Sequence, residues 1–172
     1  MNRLALAATL GFVLLCGGCG YKVAGRGNAL PKNIKTIAVP AFTNATTLYH
    51  LADRLPADIT REFISRTRYR VVTDPAAADA VLKGSVSKAY SYAVTLDPTT
   101  SRASSALIAA TIYITLTDRA TGKVLYSRNM EAHERYEVSP QSRTYFEETD
   151  AALGRMSRDV ARDAVSAILE KF

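Results

Sequence analysis

Cys19 is the side chain whose surroundings most clearly prescribe a reaction. One basic residue, Arg3, precedes an apolar run over residues 4–15, and the run ends in Cys16-Gly17-Gly18-Cys19-Gly20-Tyr21. A charged start, a short apolar stretch and small residues before a cut make an export signal. The run falls short of the ~20 apolar residues of a permanent membrane span. Gly17 and Gly18 suit the small pocket of a lipoprotein signal peptidase, whereas Val13, Leu14 and Leu15 before Cys16 are too bulky. The expected chemistry is cleavage after Gly18, diacylglycerol on the Cys19 sulfur, and a further acyl chain such as palmitate on the new amine. Cys16 stands where such signals commonly carry Leu. Several acyl chains anchor a domain where one chain binds only marginally. Cleavage also leaves Cys19 as the only thiol, so no internal disulfide forms. The domain must then be stabilised by its core.

A second chemistry is anion binding. The chain carries a net charge of +6, one unit of it from Arg3. Basic balance suits nucleic acid, anionic lipid or lipopolysaccharide phosphates, and export excludes nucleic acid. Arg102, Arg135 and Arg143 are the candidate phosphate ligands, because a guanidinium can donate two parallel hydrogen bonds to a phosphate. Catalytic patterns are missing. His50 and His133 are far apart and belong to no H-E-x-x-H or C-x-x-C arrangement. No phosphate-binding Gly-rich loop and no G-x-S-x-G is present. The expectation is a binding or assembly protein with no catalytic residues, no metal and no cofactor.

These groups need elements to position them. Residues 19–33 read as a tether and residues 34–172 as a single domain; roughly 150 residues suffice for one real core. Residues 34–39 form a short β-prone run closed by Pro40, and residues 41–47 read as a polar loop. Leu51, Leu55, Ile59 and Phe63 recur every four residues, the mark of a helical face. Pro56 interrupts that helix, so either the helix kinks there or it starts near Asp53 acting as N-cap, and the second reading is preferred. Residues 69–72 form a second short strand, followed by a turn over 74–79. Ala80, Leu82, Gly84 and Val86 alternate with polar residues toward Tyr92. Ala106, Ile108, Ala110, Ile112, Ile114 and Leu116 alternate strictly, the strongest strand signal in the chain. Gly122 suits a tight turn into a last strand over residues 123–134. Thr144 with Glu147 forms a capping box for a final helix bearing Leu153, Met156, Val160, Ala164 and Ile168. The fold class is α+β: a mixed, mostly antiparallel sheet of about four strands with two helices on one face.

The meander places the candidate arginines. If residues 79–92 run up, 105–118 run down and 123–135 run up again. The 93–104 and 135–145 loops then share one end, which gathers Arg102, Arg135 and Arg143 near Tyr90, Tyr92 and Tyr136.

The order of segments resembles one family, the lipopolysaccharide-assembly lipoproteins of the outer membrane, LptE. The resemblance is carried by Cys19-Gly20-Tyr21 and Leu30-Pro31, by residues 34–39 leading into Pro40-Ala41-Phe42-Thr43-Asn44, and by Arg61-Glu62-Phe63. Residues 78–84, Ala-Asp-Ala-Val-Leu-Lys-Gly, and the long meander with its C-terminal helix complete it. It implies an outer-membrane lipoprotein, facing the periplasm, that plugs a β-barrel lipopolysaccharide translocon (LptD-like) and binds lipopolysaccharide. It also implies basic glycolipid contacts in the loop between the two long strands and just before the last helix, where Arg102 and Arg143 stand. Gly20 in place of Asp agrees with outer-membrane sorting. The long polar C-terminal tail of some members is absent here. The alternative is an exported lipoprotein similar to regulators of peptidoglycan synthases or to curli-type secretion lipoproteins.

Overall fold

The computed structural model describes the backbone of residues 30–138 and 142–171, and the side chains of 30–138 and 148–171. The signal over residues 1–18, Cys19 and the tether up to residue 29 lie outside the described residues.

The strands are β1 (Thr36–Ala38), β2 (Thr43–Asn44), β3 (Arg70–Val72), β4 (Ala80–Leu96), β5 (Ala103–Asp118) and β6 (Val124–Glu137). The helices are α1 (Tyr49–Arg66) and α2 (Ser142–Glu170), with one 3-10 turn at Pro75–Ala77. The expected α+β class holds. Among the described residues the sheet has six strands, not about four, in the order β3-β1-β4-β5-β6, with β2 pairing on β4. The strand missing from the sequence reading is β2, whose two residues are too short to show a period of two. Thr43–Asn44, inside the stretch read as loop, pairs in parallel with Ser85–Val86. β1 lies parallel to both β3 and the start of β4.

The core lies between the sheet and the helices. Leu51, Leu55, Ile59 and Phe63 of α1 are all fully buried, as their spacing predicts. The six alternating apolar residues of β5 are buried too, and so are Leu153, Met156, Val160, Ala164 and Ile168 of α2. Leu30 also joins the core, and its N–H donates to the Tyr69 hydroxyl at 2.8 Å.

The first helix corrects one expectation. It starts at Tyr49, four residues before Asp53, and Pro56 sits inside it. Burial of Leu51 and Ala52 outweighs the hydrogen bond that Pro56 cannot give to the carbonyl four residues back. The second helix begins at Ser142, so Thr144 lies within its first turn and not ahead of it as N-cap; the Thr144 and Glu147 side chains lie outside the described residues.

A polar clasp joins the two helices. Arg54 donates from Nη2 to both oxygens of Asp150, at 2.8 and 2.7 Å. Ser157, fully buried, donates to Asp58 Oδ2 at 2.7 Å, and Arg66 donates to Ser166 Oγ at 2.7 Å. Small residues serve the clasp: a side chain at Gly154 would run into the Arg54 guanidinium.

Candidate functional site

β4 and β5 pair along almost their whole length, from Ala80↔Asp118 to Leu96↔Ala103. Their neighbours β1 and β2 end at Val81 and Val86 of β4. Beyond Val86 the hairpin therefore extends past the parallel part of the sheet. Register shifts at Val86/Lys88 and Ala93/Thr95 mark bulges in β4, and a shift at Thr95/Leu96 places an extra residue on β5. Bulges add local twist and re-aim side chains.

The hairpin tip is held by Asp97. Its N–H donates to Arg102 O at 2.8 Å, and its carbonyl accepts from Ser101 N–H at 2.9 Å. Asp97 Oδ1 accepts from the N–H groups of Thr99 and Thr100 and from the Thr100 hydroxyl. Donation from Thr100 N–H leads the interactions that hold its carboxyl below the usual carboxylate range. Ser101 takes a left-handed φ of 53° to close the loop. Arg102 follows at once, exposed, and forms no ion pair with a described carboxylate.

Arg135 stands opposite Leu107. That is five residues along β5 from Arg102, or about 17 Å at ~3.3 Å per residue. The two arginines share one half of the hairpin layer without touching. Arg135 is exposed and lines a cleft of about 490 Å³ with Tyr136, Glu137, Glu148, Ala151 and Arg155. Arg155 is itself paired with Glu134. The cleft mixes both signs of charge, while at the tip the Asp97 carboxylate is occupied by loop hydrogen bonds and not by Arg102. Arg143 lies in the first turn of α2, and its side chain lies outside the described residues.

The tyrosines divide between the two faces of the sheet. Tyr90 and Tyr92 are exposed on the face away from the helices and stack at 5.9 Å. Tyr136 is buried in the core, with its hydroxyl 3.2 Å from Ser91 Oγ. Its expected company with Tyr90 and Tyr92 is thus one of sheet end only. The register explains this: Tyr136 pairs with Ala106 of the apolar stripe, whereas Tyr92 pairs with Leu107 of the opposite face.

The far end of the hairpin is tied down by carboxylates. Asp79 Oδ2 accepts from the N–H groups of Lys35 and Thr36, both at 2.9 Å. Asp118, buried, caps the Gly122 turn by accepting from Ala120 and Thr121 N–H, and its other oxygen accepts from Asn33 Nδ2 at 3.1 Å. These hydrogen bonds hold both carboxyls below their ordinary range, led by Lys35 N–H for Asp79 and by Thr121 N–H for Asp118. Arg119 adds a bond from Nε to Ala78 O at 2.6 Å. One end of the meander is fixed by this network and the other projects. Sequence reasoning passed over Asp79 and Asp118 because a capping carboxylate carries no motif.

Among the described residues no cluster of His, Cys, Asp and Glu could hold a metal ion, and no helix is long and apolar enough to cross a membrane. Residues 34–168 match the model of the LptE family, described as lipopolysaccharide-assembly. No curated protein matches the chain. Solved structures share the fold. A lipoprotein from Caulobacter crescentus CB15 superposes with a TM-score of 0.57 at 13% identity, covering 78% of this chain and 88% of that one. A protein from Chlamydia trachomatis gives 0.56 at 12% identity, over 80% and 97%. The rare lipoprotein B from Shewanella oneidensis gives 0.54 at 12% identity, over 78% and 94%.

Proposed function

The chain belongs to the lipopolysaccharide-assembly LptE family, and from that premise we propose that it binds lipopolysaccharide and docks in the β-barrel translocon that delivers it to the cell surface. The family match across residues 34–168 carries this reading. The protein acts by binding and not by catalysis. Acyl chains on Cys19 anchor it in the periplasmic leaflet of the outer membrane, where Gly20 permits its sorting. Mass spectrometry of the mature chain checks the anchor, and an unmodified Cys19 contradicts it.

The projecting hairpin supports the glycolipid part of the proposal. Arg102 is exposed at the tip of a rigid loop and free of described carboxylate partners. Arg135 supplies a further guanidinium on the same half of the molecule, and Arg143, in the first turn of α2, is the third proposed ligand. Each charge-assisted bond to a lipid phosphate is worth roughly 1.5–3 kcal/mol where shielded from water, and less where exposed. The test is lipopolysaccharide binding by the Arg102→Glu, Arg143→Glu double variant at two salt concentrations. Binding should weaken at least tenfold, the equivalent of about 1.4 kcal/mol, and the wild-type affinity should fall with salt. Wild-type affinity in the folded double variant would remove both arginines from the site.

A further inference from the structure

The two long free edges of the sheet are built differently. Among the described residues β6 is an edge strand over its whole length, and it carries Arg128, Glu131, Glu134, Arg135 and Glu137. Charged side chains along an edge keep other strands from pairing with it. The distal half of β4 is also an edge, because β1 and β2 pair only with its proximal half. Among the described residues no strand pairs with the outer side of residues 89–96. That run, Ala-Tyr-Ser-Tyr-Ala-Val-Thr-Leu, contains no charge. It exposes Tyr90 (57%), Tyr92 (48%), Val94 (40%) and Leu96 (58%), half of the large exposed hydrophobic side chains of the described protein, in eight residues.

We propose that this uncharged edge of β4 receives an extended, uncharged segment of the barrel partner as an added strand. The inference rests on the functional reading above and names the surface that would do the docking. An added strand matches both features of the edge at once. Its backbone completes the ladder, and its apolar side chains cover Tyr90 and Tyr92 on one face, with Val94 at the Ala93/Thr95 bulge and Leu96 beyond it. Other occupants match less. Lipid phosphates would find no cation between Lys88 and Arg102. An acyl chain would cover the side chains but leave the edge N–H and C=O groups unpaired in an apolar setting. A second copy of this chain is limited by area. Eight residues of strand extend about 26 Å, and at a sheet depth of ~10 Å the footprint is roughly 260 Å². That is about a third of the ~800 Å² each partner gives to a stable interface. The edge therefore suits a partner that also holds the domain elsewhere.

Amide hydrogen exchange tests this on the full acylated chain, alone and in complex with the barrel purified from the same source. Amides of residues 89–96 should slow at least tenfold in the complex. The single variant Val94→Lys places an edge charge at an exposed bulge and should cut barrel capture at least tenfold with an unchanged Tm. If wild-type chain captures the barrel but residues 89–96 gain no protection, or Val94→Lys captures it equally, the edge assignment falls and the functional reading stands. If the wild-type chain captures no barrel, both fall. Protection of residues 89–96 by lipopolysaccharide alone, or by raising the concentration of the free chain, would also overturn the assignment in favour of glycolipid or of a second copy.

Discussion

At the scale of single residues, the interlock of Phe42 and Gly84 matters most to the fold. The Phe42 ring occupies the space where a β-carbon on Gly84 would lie, with Cε2, Cδ2 and Cζ all in the way. Gly84 is thus an absence that seats a side chain, and it brings the β1–β2 segment down onto β4. Gly84→Ala should cost about 1–3 kcal/mol by overpacking. In a domain of this size that lowers Tm by several degrees. Adding Phe42→Leu should recover part of the loss, so the two changes will not add; a strictly additive pair would show that the ring moves freely aside. Asp118 makes a different prediction. Its carboxyl is held below the unfolded value, near 3.9, by Thr121 N–H and the Asn33 amide. Its contribution to stability is therefore complete above about pH 4 and is lost as pH falls through the folded value. Asp79 and Asp97 are shifted in the same direction, so all three weaken the fold in acid. Thermal melts between pH 2 and 7 should show the acid loss shrinking in Asp118→Asn; an unchanged profile would take Asp118 out of the account.

At the scale of elements, α1 shows packing overriding local preference. The helix accepts Pro56 at its eighth position because the turns before it bury Leu51, Ala52 and Leu55. Pro56→Ala restores an N–H and removes a ring from beside the preceding turn, so it should raise stability by about 1 kcal/mol or more. Denaturant unfolding checks this, and a loss of stability would mean that the proline ring packs more usefully than the geometry implies. The same elements show what a sequence reveals. The four-residue recurrence from Leu51 to Phe63 and the alternation from Ala106 to Leu116 were legible, because each repeats a period long enough to leave no second reading. The start of α1 was not, since the preference of Asp for an N-cap is local while the burial of Leu51 depends on the sheet beneath it. β2 was hidden for a related reason. Two residues have no period, and Thr43–Asn44 is a strand only because Ser85–Val86 lies beside it. At the candidate site, Arg102 and Arg135 could be assigned to one half of the meander from strand directions alone. The face of Tyr92 could not, because the bulge between Val86 and Lys88 of β4 shifts the parity that decides it.

At the scale of the whole molecule, the domain is anchored at one end of its meander and extended at the other. Asp79, Asp118, Arg119 and Asn33 bind the proximal end into one hydrogen-bonded corner. The distal end carries the exposed Tyr90 and Tyr92, the uncharged edge and Arg102. The proposed docking role would use this division, with a stable body to hold position and a projecting surface to meet partners. The central claim is the docking itself. Full-length tagged protein, captured from detergent-solubilised membranes and analysed by mass and stoichiometry, should come away in a one-to-one complex with an outer-membrane β-barrel. Recovery of the chain alone, or with a peptidoglycan synthase in place of the barrel, would contradict the account.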